Sequence, residues 1–490
     1  MQLVSFATFA LALSAGLWAS PIPRLDIGGI PDRLIRIVRI AATQDPSPPI
    51  PRAAIVPGDG AAQERSRPSI LDIFAHYMVG LADGHSPAHW AAEIAAAQAS
   101  GLDGFALNIG PRDPWTAPQL RHAYRAAEGA RPRDFALFLS FDMAAGAWTV
   151  GQVAGLIGEF GRSSAQFRVG DRPLVSTFEG PAWAHHWPAV RAAVGGIFLV
   201  PDWSSLGPRG VRERLGGIEG AFSWCAWPRA GQHRMDSTED ILYRETLGED
   251  RVYMMGVSPC FYTHLPHWGK NWYASSESLW YDRWRQVLEI MPDFVQIITW
   301  NDFGESSYIH DPVRPGQVVS GAEKYVANVS HAAFRAVLPF FVAAFKAGTL
   351  DVYSGHADRA IAWYRTTPAR CAGDGGTRWG QDGCASAADG ARDVVSVLAI
   401  AAHPAPLSVA VTIGGEGRTF GGGEGSRVAY YELPFDGRVG PVCLSLGGRT
   451  TVGPAISEVC HPCGHVLFNP VAIEVEAVSH AEKGVKGGGM

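Results

Sequence analysis

Five carboxylates stand where short apolar runs end: Asp142 in LSFDM, Glu179 in STFEG, Asp202 in VPDW, and Asp302 and Glu305 in TWNDFGES. A carboxylate in such a place can simply cap the next helix. Five crowded on one rim are hard to explain by capping alone, because each ionised neighbour raises the cost of ionising the next. At least one of them is then held protonated near neutral pH. A protonated acid beside an ionised base is what glycosidic cleavage requires. His76, Asn108 and Asn301 stand at the ends of further runs, and Trp203, Trp224, Trp227, Phe261 and Trp300 lie beside them. Sugars present C–H faces that pack on aromatic rings, and their hydroxyls take hydrogen bonds. These residues are therefore expected to line a sugar groove.

Side chains from so many places meet only if a fold gathers the ends of the runs. Eight apolar runs qualify as strands: Leu71–Val79, Gly104–Ile109, Phe135–Phe141, Leu174–Phe178, Gly196–Pro201, Gly220–Trp224, Val252–Val257 and Phe294–Trp300. Helical stretches separate most of them, among them Pro87–Ala99, Pro118–Glu128, Val150–Phe160, Trp183–Ala193, Ser237–Leu247 and Glu277–Ile290. The fold class this predicts is α/β: a (β/α)8 TIM-type barrel, with its active site at the C-terminal ends of the strands. A last helix is expected over His331–Phe345, and short β runs with Gly-rich turns between 393 and 478 predict a C-terminal all-β, sandwich-like accessory domain. The expected organisation is a signal peptide at 1–20, a disordered propeptide or linker at 21–68, the catalytic barrel at 69–350, and the β domain with disulfides and a flexible tail at 351–490.

Composition narrows the partners. Of 490 residues, 41 are Lys or Arg and 47 are Asp or Glu, a formal charge of −6, which argues against nucleic acid. No segment after the leader reaches the length of a membrane span, since the apolar stretch 336–350 is broken by Lys346. No Gly-rich phosphate loop follows a strand, and no G-x-S-x-G elbow is present. Cys460-x-x-Cys463 lacks the second pair that a zinc site needs, so neither metal nor cofactor is expected. His185, His186, His264 and His267 read as loop or surface residues.

The order of motifs resembles glycoside hydrolase family 71, the fungal endo-α-1,3-glucanases also called mutanases. The matching stretches are FAHYMVG (74–80), GLDGFALNIG (101–110), LSFDM (139–143), LVSTFEG (174–180), VPDW (200–203), FSWCAWP (222–228), SPCFYTH (258–264), KNW (270–272) and DFVQIITWNDFGESSYI (293–309). The leader implies secretion to the medium or cell wall, and the resemblance implies hydrolysis of α-1,3-glucan by an inverting, cofactor-free, two-carboxylate mechanism. It places the catalytic carboxylates at Asp302 and Glu305, with Asp142 as a third essential one, and assigns Glu179 and Asp202 to substrate hydroxyls. Within the pair, Glu305 is expected to donate the proton and Asp302 to act as base. The partner is the glucan itself, and the chain is expected to act as a monomer. A weakened glucan-binding protein and a glycosidase of other linkage preference are the competing readings.

Three positions depart from the family pattern: Cys225, Cys260 and Ser307. Cys225 and Cys260 follow strands expected to be neighbours, which suggests a disulfide across the rim. Cys371 is expected to pair with Cys384, and Cys443 with Cys460 or Cys463. Asn328-Val329-Ser330 is a glycosylation sequon.

Overall fold

The alternation of strand and helix closes on itself in the computed structural model, which describes residues 71–131, 134–314, 316–352, 357–371, 376–403, 407–421, 427–460 and 468–477. The expected signal peptide, the 21–68 segment and Cys463 lie outside the described residues. Eight parallel strands form the barrel: β1 (Asp72–Met78), β2 (Gly104–Ile109), β3 (Ala136–Asp142), β4 (Arg172–Phe178), β5 (Phe198–Asp202), β6 (Gly220–Ser223), β7 (Val252–Val257) and β8 (Phe294–Ile297). They run β3-β2-β1-β8-β7-β6-β5-β4 around the sheet, and β3 pairs with β4 to close it.

Side chains alternate between the barrel interior and the helix-covered outside. Phe74 meets Phe138, Phe167 and Phe294 with ring centroids 4.9–5.8 Å apart and plugs the lower interior. The same alternation turns His76 and Asp142 inward, one or two pleats above Phe74 and Phe138. Ile73, Ala75 and Tyr77 point the other way and pack with Trp90 and Ile94 of helix α1 (Pro87–Ala99). Ser86 and Thr149 cap α1 and the helix Val150–Phe160 through reciprocal side-chain bonds, which fixes where the chain leaves the rim.

The last expected helix is broken in two, Ala332–Ala336 and Leu338–Ala347, with Pro339 in the first turn of the second, where its missing N–H costs nothing. Strand β8 stops at Ile297, three residues early. An antiparallel hairpin, Phe261–Leu265 with Lys270–Ala274, stands between β7 and the helix before β8.

After the barrel come β9 (Arg359–Tyr364), β10 (Val394–Ile400), β11 (Ser408–Ile413), β12 (Glu416–Gly421), β13 (Val428–Pro434), β14 (Gly440–Leu446), β15 (Arg449–Ile456) and β16 (Val471–Glu476). They make two antiparallel sheets, β13-β10-β9-β16 and β12-β11-β14-β15. Val395 and Val397 of one sheet pack with Val409, Val411 and Leu444 of the other, a sandwich core. Every residue of β10 is buried because its other face lies on the barrel: Ile361, Trp363 and Leu398 join the barrel's helix-covered core. Trp363 Nε1 donates to the Ser276 carbonyl at 3.2 Å, and the Tyr430 hydroxyl to that of Glu277 at 2.8 Å.

The expected disulfides are corrected. Cys371 is bonded to Cys460, with Cα atoms 5.1 Å apart, while Cys384 and Cys443 carry free thiols. The Ser457 N–H donates to the Thr366 carbonyl and lays the end of the sandwich beside Cys371. Cys443 is on β14 in register with Thr412 and Val452, inside a sheet rather than beside the Cys460 turn.

Candidate active site

Beyond β8 the chain folds back on itself. Thr299 N–H donates to the Ser307 carbonyl (2.8 Å), Ile309 N–H to that of Thr299 (3.0 Å) and His310 N–H to that of Trp300 (3.0 Å). The enclosed turn is tied from within: Asp302 N–H donates to Thr299 Oγ1 at 2.7 Å and Glu305 N–H to Asp302 Oδ1 at 3.1 Å. It is tied from outside by the Tyr325 hydroxyl, which donates to the Gly304 carbonyl at 2.8 Å. At Gly304 a Cβ would stand 3.0 Å from Val319 Cγ2 and 3.4 Å from Asp302 Oδ1, so a side chain there crowds the turn. From Thr299 to Ile309 every residue is buried except Asp302 and Glu305.

Burial and the charge of Glu305 push the Asp302 carboxyl up to about 7, against the opposing ammonium of Lys270. Asp142 is pushed up to about 6, chiefly by burial, although its Oδ1 accepts from Ala144 N–H (3.0 Å) and Ala145 N–H (2.9 Å). Lys270 Nζ lies 2.7 Å from Glu305 Oε1. His76 is buried and its ring is pushed down to about 3, so it is neutral; its Nδ1 lies 2.9 Å from Gln296 Nε2.

A row of aromatic rings borders these acids. Trp224 meets His76 (4.8 Å between centroids) and Phe178 (4.9 Å), Trp227 meets Phe261 (4.7 Å), and Phe261 stacks on Trp272 (5.4 Å, 10° between planes). Trp224, Trp227 and Trp272 remain partly exposed.

Other expected contacts are turned to structural use. Trp300 is buried outside the barrel, its Nε1 2.6 Å from Glu93 Oε2 and its ring on Phe105 and His310. Trp203 is buried in the same outer layer. Trp203 points away from the rim because the strand alternation that turns Asp202 inward turns the next residue outward; Trp300 lies beyond the end of β8 at Ile297, in the folded-back loop, where strand alternation no longer sets direction. Asn301 is buried and holds the end of β1, accepting from Met78 N–H at 2.8 Å. Asn108 is buried in β2, in register with Met78. Asp202 is fully buried; its Oδ1 accepts from Ser204 N–H at 2.9 Å, and burial and then the charge of Glu179 push it well above the usual carboxylate range. Glu179, partly exposed at φ +56°, accepts from Ser205 N–H at 2.9 Å.

No rim disulfide forms: Cys225 and Cys260 are free, and the Cys260 Sγ donates to the Ser306 carbonyl at 3.0 Å, bracing the turn. Ser307 is buried with Oγ 3.4 Å from Thr299 Oγ1. His264 is buried on the hairpin, bonded to Asn271, rather than at the surface. Reasoning from strand ends missed Lys270, Trp272 and Asp113, the last a loop residue whose carboxyl burial and Asp83 push up. The motif KNW carried the first two in plain view, on a hairpin outside the strand count. Among the described residues no cluster of side chains is arranged to hold a metal ion.

The family model described as Glycosyl hydrolase family 71 matches residues 71–484. A glucan endo-1,3-alpha-glucosidase of Schizosaccharomyces pombe is 32% identical over 382 residues, covering 75% of this chain and 86% of that protein. A mutanase of Penicillium rubens is 34% identical over 318 residues, 62% of this chain and 67% of that one. An ascus wall endo-1,3-alpha-glucanase of Schizosaccharomyces pombe is 30% identical over 299 residues, 58% and 68% of the two chains.

Proposed function

The chain belongs to glycosyl hydrolase family 71, and from that membership we propose that it hydrolyses the α-1,3-glucosidic bonds of α-1,3-glucan with Asp302 and Glu305 as the acid–base pair. One observation carries the assignment of residues: the β8 loop buries everything from Thr299 to Ile309 except two carboxylates. One of the pair gives its proton to the leaving oxygen as the C–O bond breaks. The other takes a proton from water as the water oxygen bonds to the anomeric carbon from the opposite face, which inverts its configuration. Asp142, on the neighbouring rim, supports the pair through charge. The rings of Trp224, Trp227 and Trp272 support a groove in which glucose units stack.

Burial and the neighbouring charge push Asp302 up to about 7, a value that suits a proton donor. This favours Asp302 as the donor, the reverse of the expectation from sequence.

The test is incubation with insoluble α-1,3-glucan, α-1,4-glucan and β-1,3-glucan, reading new reducing ends and the first-formed anomer by NMR. Release from the α-1,3-glucan alone, as the β-anomer, is expected. Release from another glucan overturns the linkage, an α-anomer overturns inversion, and binding without release makes the chain a wall-binding protein. An acid variant is rescued by a substrate with an activated leaving group and a base variant is not, which separates the roles of Asp302 and Glu305.

The same reading makes the chain a secreted or wall-localised monomer, with 69–350 as catalytic barrel and 351–490 as its β partner. The exposed Asn328 of the sequon is available for glycosylation.

A further inference from the structure

The three carboxylates at the candidate centre come from two strand ends, Asp302 and Glu305 after β8 and Asp142 after β3. A cation reaches them from neither strand but from the hairpin inserted after β7. Lys270 opens the hairpin's second arm, and its Nζ stands 2.7 Å from Glu305 Oε1. Its charge also acts on Asp302 and Asp142. The first arm holds the same residue by its backbone, since Tyr262 N–H donates to the Glu305 carbonyl at 3.0 Å.

The hairpin is fixed on its far side. Trp272 and Tyr273 pair in parallel with Arg378 and Trp379, and Gly380 N–H donates to the Tyr273 carbonyl at 2.7 Å. Trp379 Nε1 donates to Ser275 Oγ at 3.0 Å, and Thr377 Oγ1 to Asn271 Oδ1 at 2.8 Å. The segment that follows β9 therefore braces the strand on which Lys270 stands.

We propose that Lys270 is a positioning residue for the reaction: its ammonium, held against Glu305 by the braced hairpin, sets how protons are shared among Glu305, Asp302 and Asp142. The proposal rests on the acid–base reading of Asp302 and Glu305 given above. One ammonium facing three carboxylates leaves an excess of negative charge, which the centre relieves by keeping a proton. The groups that face this exchange are Glu305 and Asp302 from the β8 loop, Asp142 from β3, and Asp113, which acts on Asp142 and is itself acted on by Asp83. His76 on the barrel floor stays neutral. Burial works against the Lys270 charge, and the carboxylates outweigh it, so Lys270 is held above its usual range and stays charged wherever the enzyme works.

An opposite charge within about 4–6 Å lowers a carboxyl pKa by roughly 1–3 units. Removing it raises the proton affinity of all three acids together. Both limbs of a bell-shaped profile then move to higher pH: the base needs a higher pH to ionise, and the acid keeps its proton longer.

The experiment uses the full chain and soluble α-1,3-gluco-oligosaccharides. kcat/KM is followed against pH for the native protein, Lys270→Met and Lys270→Arg. Lys270→Met is expected to shift both limbs upward by about one pH unit or more, and Lys270→Arg to restore their position. A Lys270→Met profile that is lower but keeps its limbs in place overturns the proposal and leaves Lys270 a structural residue. A second measurement does not need turnover. Carboxyls raised further in the folded state lose stability over a wider pH range, so the fall in Tm between pH 5 and pH 8 is expected to be larger in Lys270→Met than in the native protein or Lys270→Arg. An equal fall in all three also overturns it. Asp302→Asn and Glu305→Gln run alongside: if they stay active, the acid–base reading fails first; if they are inactive while the limbs of Lys270→Met stay put, this inference alone fails.

Discussion

Two stretches of the same rim carry the same chemistry in their sequences and use it differently. The turn after β8 and the turns after β4 and β5 each contribute two carboxyls that burial pushes up or surrounds, and each pair is electrostatically close. After β4 and β5, Glu179 and Asp202 give their oxygens to the N–H groups of Ser205 and Ser204, and Ser204 Oγ in turn accepts from Trp224 N–H at 2.8 Å. These acids hold a turn and, through it, the backbone of an aromatic wall. After β8 the turn is held mainly by other groups, Thr299, Tyr325 and Cys260, with one carboxylate oxygen, Asp302 Oδ1, accepting from Glu305 N–H. The Glu305 carboxyl meets Lys270 instead. A raised carboxyl at a strand end is thus a poor guide to chemistry by itself. What separates the two turns is which groups pay for the turn's hydrogen bonds.

The largest effect expected from this contrast is on turnover. General acid–base catalysis contributes about 10²–10⁴-fold, so Asp302→Asn and Glu305→Gln should each lower kcat on α-1,3-glucan by roughly that factor. Glu179→Gln and Asp202→Asn should lower it less than about tenfold. Equal losses in the two pairs, measured as initial rates of reducing-end release, would erase the distinction.

The next effect separates two tryptophans. Trp224→Ala should raise KM about tenfold, the order expected from losing an aromatic contact of roughly 1–1.5 kcal/mol. Trp300→Phe leaves Glu93 without its indole donor and should cost about 1–3 kcal/mol of stability in a denaturant titration, with KM unchanged. A reversal of the two phenotypes would place the sugar on the wrong side of the strand.

Asp202→Ala removes the acceptor of the Ser204 turn and should destabilise by about 1–3 kcal/mol. The same measurement on Glu305→Gln should show a smaller change, because the β8 turn does not depend on that carboxyl.

The smallest effect is on pH-dependent stability. An Asp302 carboxyl raised to about 7 binds its proton more tightly when folded than when unfolded. Its contribution is whole below about pH 4 and is lost as pH rises toward 7. Asn cannot ionise, so Asp302→Asn should match the native Tm near pH 4 and exceed it by a few degrees near pH 8. A native protein more stable than the variant at pH 8 would mean that the carboxyl is not under strain in the free fold.

Much of this fold is legible in the sequence. Eight apolar runs with intervening helices favour a closed parallel barrel over a doubly wound sheet, and the strand alternation turns His76 and Asp142 toward its axis. Residue order alone puts Asp302 and Glu305 of WNDFGES in the turn after the last strand. Other features depended on contacts between distant segments, which local patterns do not encode. Nothing in Cys371 or Cys460 indicates that they pair; the Ser457–Thr366 contact, made only when the sandwich closes, brings them together. Trp300 and Trp203 look like sugar platforms because indoles suit that role, but alternation at the end of β5 sends Trp203 to the helix side, and the loop beyond β8 sends Trp300 there, onto Glu93 and Phe105. Lys270 meets Glu305 only because a hairpin, braced by a segment more than a hundred residues further on, carries it there. Local sequence determined the elements and which faces are apolar; tertiary structure decided which polar groups were consumed by the fold and which were left to act.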